Sequence, residues 1–152
     1  MVSEIMDGIS KALKKEYPSH KVHIDKVKQG LNAPAFFIKN LVSGQEQKLD
    51  VRYQRNHSFD IHFFPSDTTG TTREIQKVAA RLYMVLEYIT LQEFVDGGTE
   101  ESLIRGTGMN YETVDGVLHF FVDYNLFILK KIPEEPYMED LRAEIKLRDG
   151  GD

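Results

Sequence analysis

The sequence predicts an α+β fold in which two helices pack against a mainly antiparallel sheet of hairpins, followed by a C-terminal helical or extended tail. Two stretches carry apolar residues at helical spacing, and several others carry the alternating or β-branched pattern of strands. Most strand-like stretches follow one another directly along the chain, which is typical of hairpins. A doubly wound nucleotide-binding fold needs strands and helices in strict alternation, and the sequence lacks this pattern.

Length and composition favour one folded domain. The chain has 152 residues, of which 41% are hydrophobic and 28% are charged, and these are ordinary values for a globular protein. We predict a single α+β domain over residues 1–132 and a charged C-terminal extension over residues 133–152. The net charge of −5 gives no general attraction to nucleic acid, so we expect no nucleic-acid binding.

Cysteine and membrane signals are absent from the sequence. The lack of cysteine excludes disulfides and thiolate metal sites. No stretch reaches the roughly 20 apolar residues of a membrane-spanning helix, and the N-terminal residues lack the pattern of a signal peptide. We therefore expect a protein that is soluble, has no membrane partner and is made in the cytoplasm.

The first third of the chain predicts one helix and two strands. Apolar residues at helical spacing predict a helix over residues 3–16. Tyr17-Pro18 should end this helix, because a residue before proline is pushed out of the α region. Lys21–Asp25 alternates and predicts a short strand, and the aromatic and β-branched run AFFIKNLV after Pro34 predicts the second strand.

The middle third predicts a hairpin and a long helix. The stretches EQKLDVRYQR and SFDIHFFP predict two strands joined by a short corner at Asn56-His57. From Ile75 to Ile89, apolar residues recur at i, i+3, i+4 and i+7 spacing. This periodicity predicts the second helix over residues 72–89.

The last third predicts three more strands and a tail. The predicted strands are Leu103–Asn110, Thr113–Tyr124 and Phe127–Ile132, with a turn at Tyr124-Asn125. From Pro133 onwards the sequence is charged and weakly apolar. This composition predicts a marginal helix followed by a frayed tail.

The stretch RYQRNHSFDIHFFP, which starts at Arg52, holds the best candidate for site chemistry. Side chains alternate between the faces of a strand, so Asp60 and His62 should lie side by side. A carboxylate and an imidazole can ligate a metal, but a site needs at least three protein ligands. The remaining candidate imidazoles are distant in the sequence: His20, His23 and His119. We therefore predict no metal site, and a hydrogen-bonded pair on a half-exposed strand.

The sequence shows no motif for catalysis. Neither Ser58 nor Ser102 lies in a G-x-S-x-G elbow. The glycine-bearing segments Asp96–Gly98 and Gly106–Asn110 are not followed by the lysine of a phosphate-binding loop, and they predict turns and bulges. We predict a protein that is not an enzyme and has no cofactor. The alternative is a small metal-dependent hydrolase or nuclease that uses the carboxylate and imidazole pair with a third ligand.

Consecutive aromatic residues favour a role in assembly. Phe36-Phe37-Ile38 and Phe63-Phe64 present large apolar side chains to both faces of a sheet, and the two predicted helices can cover only one face. The other face needs a cover as well, and a neighbouring subunit is a natural source of one. We nominate one aromatic and four basic residues as interface residues: Arg52, Arg55, Phe64, Lys130 and Lys131.

Three segments resemble a known family. They are VKQGLNAPAFFI (Val27–Ile38), RYQRNHSFDIHFFP (Arg52–Pro65) and GVLHFFVDY (Gly116–Tyr124), and they follow a short amphipathic first helix. These segments are similar to the small tail-terminator-like proteins encoded among the tail genes of phages and prophages of Gram-positive bacteria. The resemblance covers most of residues 1–132 and offers no catalytic residue.

The resemblance implies a structural role in the virion tail. Tail terminators of this kind are α+β subunits that form a ring, usually sixfold, on the end of the tail tube. They stop polymerisation and offer a docking surface to the head connector. The implied partners are other copies of the chain, the tail-tube protein, the sheath protein where a tail has one, and the head–tail connector protein. Assembly would take place in the bacterial cytoplasm.

Two further interpretations stay open at the level of the sequence. The protein could be a neck, completion or other minor tail protein of the same particle. It could also be a monomeric binding module, which predicts no ring at any concentration.

Overall fold

The computed structural model describes residues 1–24, 33–66 and 71–129. These residues form two helices and six strands, in the order α1 (Val2–Glu16), β1 (Lys21–His23), β2 (Ala35–Leu49), β3 (Arg52–Phe64), α2 (Thr71–Val85), β4 (Tyr88–Val95), β5 (Gly98–Val114) and β6 (Val117–Leu129). The predicted C-terminal tail, and the predicted strand end beyond residue 129, lie outside the described residues.

The strands form one sheet in the order β1-β2-β3-β6-β5-β4. The short β1 pairs with β2 in parallel, and every other neighbouring pair is antiparallel. The α+β class is therefore confirmed, but the predicted arrangement as a mainly antiparallel sheet of hairpins is not exact. The sheet is mixed because β1 enters it parallel to β2, and its centre is a pairing of β3 with β6, which are far apart in sequence.

Both helices cover one face of the sheet, which we call the inner face. Alternate side chains of β2, β3 and β6 point to this face and are buried with apolar side chains of α1 and α2. The core contains Ile5, Ile9 and Leu13 from α1, Ile75, Ala79 and Leu82 from α2, and Phe36, Ile38, Phe59, Ile61, Phe63, Leu118, Phe120 and Val122 from the three strands. Helical and strand periodicities therefore meet in one apolar layer. We call the opposite face of the sheet the outer face.

The sheet curls around the helices through β5. The first half of β5, up to Arg105, pairs with β4, whereas the half from Gly106 pairs with β6. The far strand β4 thus comes against α1. A Cβ atom at Gly8 of α1 would lie only 2.5 Å from the carbonyl oxygen of Thr90 in β4, so the close approach of helix and strand depends on this glycine.

The predicted corner at Asn56-His57 is wrong. These residues lie in the middle of β3, where Asn56 pairs with Gly44 and Asn125, and His57 pairs with Ser43 and Tyr124. Pairing on both sides holds them extended, so tertiary context overrides their local preference for a turn. The hairpin turn lies instead after β2, where Asp50 has a φ of 54°, a conformation that aspartate tolerates.

The predicted turn at Tyr124-Asn125 is wrong for the same reason. Both residues lie inside β6 and pair with β3. Residues predicted as two separate strands therefore form one. The turn that precedes β6 is made by Asp115 and Gly116, with φ values of 50° and 76°.

The predicted end of the second helix is also wrong. Helix α2 ends at Val85, and the strand β4, from Tyr88, was not predicted. Ile89 is buried, as the helical pattern required, and so is Leu91 two residues later. A buried Ile89 fits the helical period as well as the strand period. The apolar pattern in the sequence therefore does not show where the helix ends and the strand begins.

Neither helix in the described part of the chain is long and apolar enough to span a membrane.

Candidate assembly surface

The outer face of the sheet carries the candidate site, because no described helix covers it. In β3 the residues of this face are Ser58, Asp60, His62 and Phe64, which alternate with the core residues. This confirms the predicted division of the strand into two faces. Residues directly opposite each other in an antiparallel pair share a face, so Phe37 of β2, and His119 and Phe121 of β6, belong to the outer face too.

Three polar side chains meet at the centre of this face. His119 lies directly opposite His62 in the β3–β6 register. One carboxylate oxygen of Asp60, Oδ2, lies 3.0 Å from Nε2 of His62 and 2.9 Å from Nδ1 of His119. We call these three residues the Asp60 cluster. The predicted Asp60 and His62 pair is present, and a third side chain completes it.

The histidines determine the charge state of the carboxylate. Asp60 is only 6% exposed, and burial alone would raise the pKa of its carboxyl. Hydrogen bonds and electrostatic attraction from His62 and His119 together outweigh burial and hold the pKa of Asp60 below its ordinary value. Asp60 is therefore ionised at neutral pH, on a face otherwise rich in aromatic residues.

Aromatic rings surround the Asp60 cluster. The Phe37 ring meets His62 edge-on at a centroid distance of 5.5 Å, and Phe64 lies 6.3 Å from the same histidine. On the other side, Phe121 stacks on His119 at 6.5 Å. At the centre of the outer face, apolar rings thus surround a polar cluster, and all of these residues lie on paired strands.

Beyond the helices, three strand ends form an arm, which consists of residues 44–49, 52–56 and 125–129. Here β6 pairs only with β3, since its pairing with β5 ends at Tyr124. Several large apolar side chains on or beside the arm are exposed: Val42 by 66%, Leu49 by 71%, Phe127 by 67% and Leu129 by 70%. Large apolar side chains clustered in this way mark an interaction surface.

The nominated basic residues are divided by the fold. Arg52 is exposed and lies between Leu49 and Leu129 in the register of the arm. Arg55 is three residues further along β3, and therefore points to the other side of the strand. There its Nε donates a 2.8 Å hydrogen bond to Gln45.

Of the other three nominated residues, the structure describes only Phe64. Phe64 is half-buried at the end of β3 on the outer face. Lys130 and Lys131 lie outside the described residues. The nominations therefore stay predictions. Of the three nominated residues that the structure describes, Arg52 and Phe64 lie on the uncovered side of the sheet.

Two features of this surface were missed from the sequence. His119 was counted as distant, although the strand register brings it against Asp60. The signal that could have found it is the alternation of VLHFFVDY, which puts His119 and Phe121 on the same face. The exposed apolar end of β6 was missed because a turn was predicted at Tyr124-Asn125.

Comparisons with known proteins bear on this arrangement. No curated protein matches the chain. Among the solved structures that are similar to this chain, one has a TM-score of 0.43 and 15% sequence identity, and the match covers 87% of this chain and 94% of that one.

A family model described as phage tail terminator protein matches residues 4–136. The match spans nearly all of α1, the whole of α2 and the six strands that the structure describes, so it includes the outer face and the arm. The resemblance seen in the three sequence segments is thereby confirmed. The chain belongs to the phage tail terminator protein family, and it is a structural component of a phage tail.

Proposed function

We propose that the protein forms a closed ring, with six copies, that caps the end of the tail tube and provides the docking surface for the head connector. The observation that carries this proposal is the exposed apolar arm on the uncovered side of the sheet. Capping needs binding and no turnover. Its driving force is the burial of apolar surface between subunits and against the tube.

The helices leave the outer face and the arm free for these contacts. Leu49, Arg52 and Leu129 lie side by side across the three strands of the arm. Both leucines are at least 70% exposed. Two exposed leucines around an arginine have the composition of an interface centre, in which arginine is enriched and can pair with a carboxylate of the partner.

A free sheet edge supports contact between copies. Within the described residues, β4 pairs only with β5, and its other edge has no strand partner, although α1 approaches it at Thr90. Such an edge pairs readily with another chain unless it is covered. A ring needs two different surfaces on each subunit, and the arm and the β4 side of the sheet are separate surfaces of this kind.

The proposed partners follow from the position of the ring. One side of it would contact the tail-tube protein, and the sheath protein where the tail has one. The opposite side would bind the head–tail connector protein. The protein would therefore be part of the virion tail, and the ring would join the tail in the bacterial cytoplasm.

Particle mass in solution tests the proposal. Light scattering on a sizing column would be measured for the chain alone, and then after mixing with the tail-tube protein of the same genome. We expect a ring in one or both samples, and shorter tubes when the chain is present during polymerisation. Leu49→Glu should weaken ring formation at least about tenfold, because it places a charge in a buried apolar contact.

Met84→Glu is the matched control. Met84 is 68% exposed, but it lies on α2 in the helical layer, away from the arm. This variant should assemble like the natural chain. A monomer at every concentration, with unchanged tube lengths, would overturn the proposal, and so would equal loss of assembly in both variants.

A further inference from the structure

The Asp60 cluster has the donor set of a metal site. One ligand atom from each of the three residues lies within 4.8 Å of the other two. The nitrogens that face Asp60 are Nε2 of His62 and Nδ1 of His119. In a tetrahedral zinc site with bonds of about 2.0–2.1 Å, neighbouring ligand atoms are about 3.3 Å apart. The two distances from Asp60 to the histidines, 3.0 and 2.9 Å, are close to this spacing.

The carboxylate of Asp60 is not fully satisfied by the histidines. Both of them contact Oδ2, whereas the buried Oδ1 has no hydrogen-bond partner in the described part of the chain. Oδ1 is itself buried, and Asp60 as a whole is only 6% exposed. An unpaired oxygen on a buried carboxyl group is costly, and a cation bound to Asp60 would offset this cost.

The surroundings favour a cation and leave it accessible. In the register next to the cluster, Glu112 lies opposite His119, and Lys39 lies opposite Asp60. The carboxylates of Asp60 and Glu112 therefore outnumber the ammonium group of Lys39. The side chains of His62 and His119 are 17% and 21% exposed, so an ion can reach them from the outer face.

From this geometry we propose that Asp60, His62 and His119 bind one divalent transition metal ion of the zinc class. Imidazole and carboxylate together suit zinc and its neighbours better than magnesium or calcium, which prefer oxygen ligands alone. Each neutral imidazole binds through the nitrogen that now faces Asp60, and carries its proton on the other nitrogen. The proposal revises the prediction of no metal site, because the fold supplies the third ligand.

Such an ion would join β3 to β6 at the centre of the outer face. Three protein ligands leave at least one coordination position open. The open position would lie among Phe37, Phe64 and Phe121 on the uncovered face. A water molecule can fill it in the free chain. The site does not depend on the ring, since all three ligands come from one copy of the chain.

Calorimetric titration with zinc chloride tests the site. The protein should carry no affinity tag, because the histidines of a tag bind zinc, and it should first be dialysed against a chelator. We expect one ion per chain. The variants His62→Gln and His119→Gln should each lower the affinity by at least about tenfold, since even outer-sphere partners of a metal contribute this much.

His20→Gln is the matched control. Its ring stacks on Phe36 and Phe63, core residues of the inner face, so zinc affinity should stay unchanged. Circular dichroism and melting without metal show whether each variant is folded. If a histidine variant is not folded, Asp60→Asn, which keeps the shape of the side chain, takes its place with the same expected loss.

A second measurement identifies the ligand atoms. Nitrogen NMR of the histidine side chains should show zinc-induced shifts at Nε2 of His62 and Nδ1 of His119. Zinc should also raise the melting temperature of the natural chain and not that of the two histidine variants. No binding by the natural chain, or binding that survives in both variants with unchanged affinity, would overturn the proposal. Neither result would bear on ring formation, which is measured by mass.

Discussion

The hydroxyl of Tyr124 donates a 2.7 Å hydrogen bond to the backbone carbonyl oxygen of Leu86. Both residues are fully buried. The bond ties the centre of β6 to the connection between α2 and β4, and these elements are far apart in sequence. It therefore helps to fix how the helical layer sits on the sheet.

Tyr124→Phe removes this donor and keeps the ring. The free energy of unfolding should fall by about 1–3 kcal/mol, because a buried carbonyl oxygen loses its partner. Urea denaturation measures the change. Tyr88→Phe is the control, since Tyr88 is 53% exposed and its change should stay within about 0.5 kcal/mol. Equal losses in the two variants would contradict the assigned role of the hydroxyl.

Gly8→Ala should destabilise the protein, although alanine is the better helix former. Helix propensity alone would favour alanine by about 1 kcal/mol. The new methyl group would lie 2.5 Å from the carbonyl oxygen of Thr90, and overpacking of this kind costs about 1–3 kcal/mol. The backbone of β4 would have to move, so we expect a lower melting temperature.

Gly44→Ala is the control for this glycine. A Cβ atom at Gly44 meets no atom within 4 Å, so the melting temperature should barely change. A Gly8→Ala variant that melts higher than the natural chain would show that α1 does not depend on close approach to β4.

His57 should make stability sensitive to mild acid. Its side chain is buried on the inner face, with Nδ1 3.0 Å from the hydroxyl of Ser43, and burial lowers the pKa of this histidine. An unfolded histidine has a pKa of about 6.5. As the pH falls below that value, the unfolded state binds the proton first, so stability falls until the lowered folded pKa is reached.

His57→Asn removes this contribution. Unfolding free energies measured between about pH 7.5 and pH 5.5 should therefore change less in the variant than in the natural chain. Identical pH dependence of the two proteins would contradict a neutral, buried His57.

Arg52 and Arg55 lie on opposite sides of the arm, so charge reversal at each residue tests one side. Arg52→Glu should weaken ring formation, because it puts a negative charge between Leu49 and Leu129, where we propose a subunit contact. Arg55→Glu acts on the other side of β3, where the guanidinium already binds Gln45, and it should have the smaller effect. Particle mass against protein concentration measures both. A larger effect of Arg55→Glu than of Arg52→Glu would show that the subunit contact lies on the other side of the arm.

Local sequence signals predicted the first helix, the start of the second and the faces of β3. These features depend on the spacing of apolar residues over one or two turns, or over a few strand positions. The first helix ends at Glu16, before Tyr17-Pro18 as predicted, because proline restricts its own neighbour and needs no distant contact. The division of β3 into a core face and a polar face was equally local.

The errors lie where long-range pairing overrides local preference. Asn56-His57 and Tyr124-Asn125 resemble turns on their own, but β3 and β6 pair with each other along nearly their whole lengths and keep both extended. Ile89 fits a helix as well as a strand, and its packing beside Leu91 in the core decided for the strand. The local sequence pattern does not show which distant residues a strand pairs with or packs against.

The candidate surface shows the same division. The sequence by itself determined that Asp60 and His62 are neighbours, that aromatic residues occupy both faces of the sheet, and that three segments resemble tail terminators. Only the tertiary structure decided that His119 joins them and that the end of β6 is exposed. The register between β3 and β6 places residues about 60 positions apart side by side, and that register follows from burying one whole face of each strand.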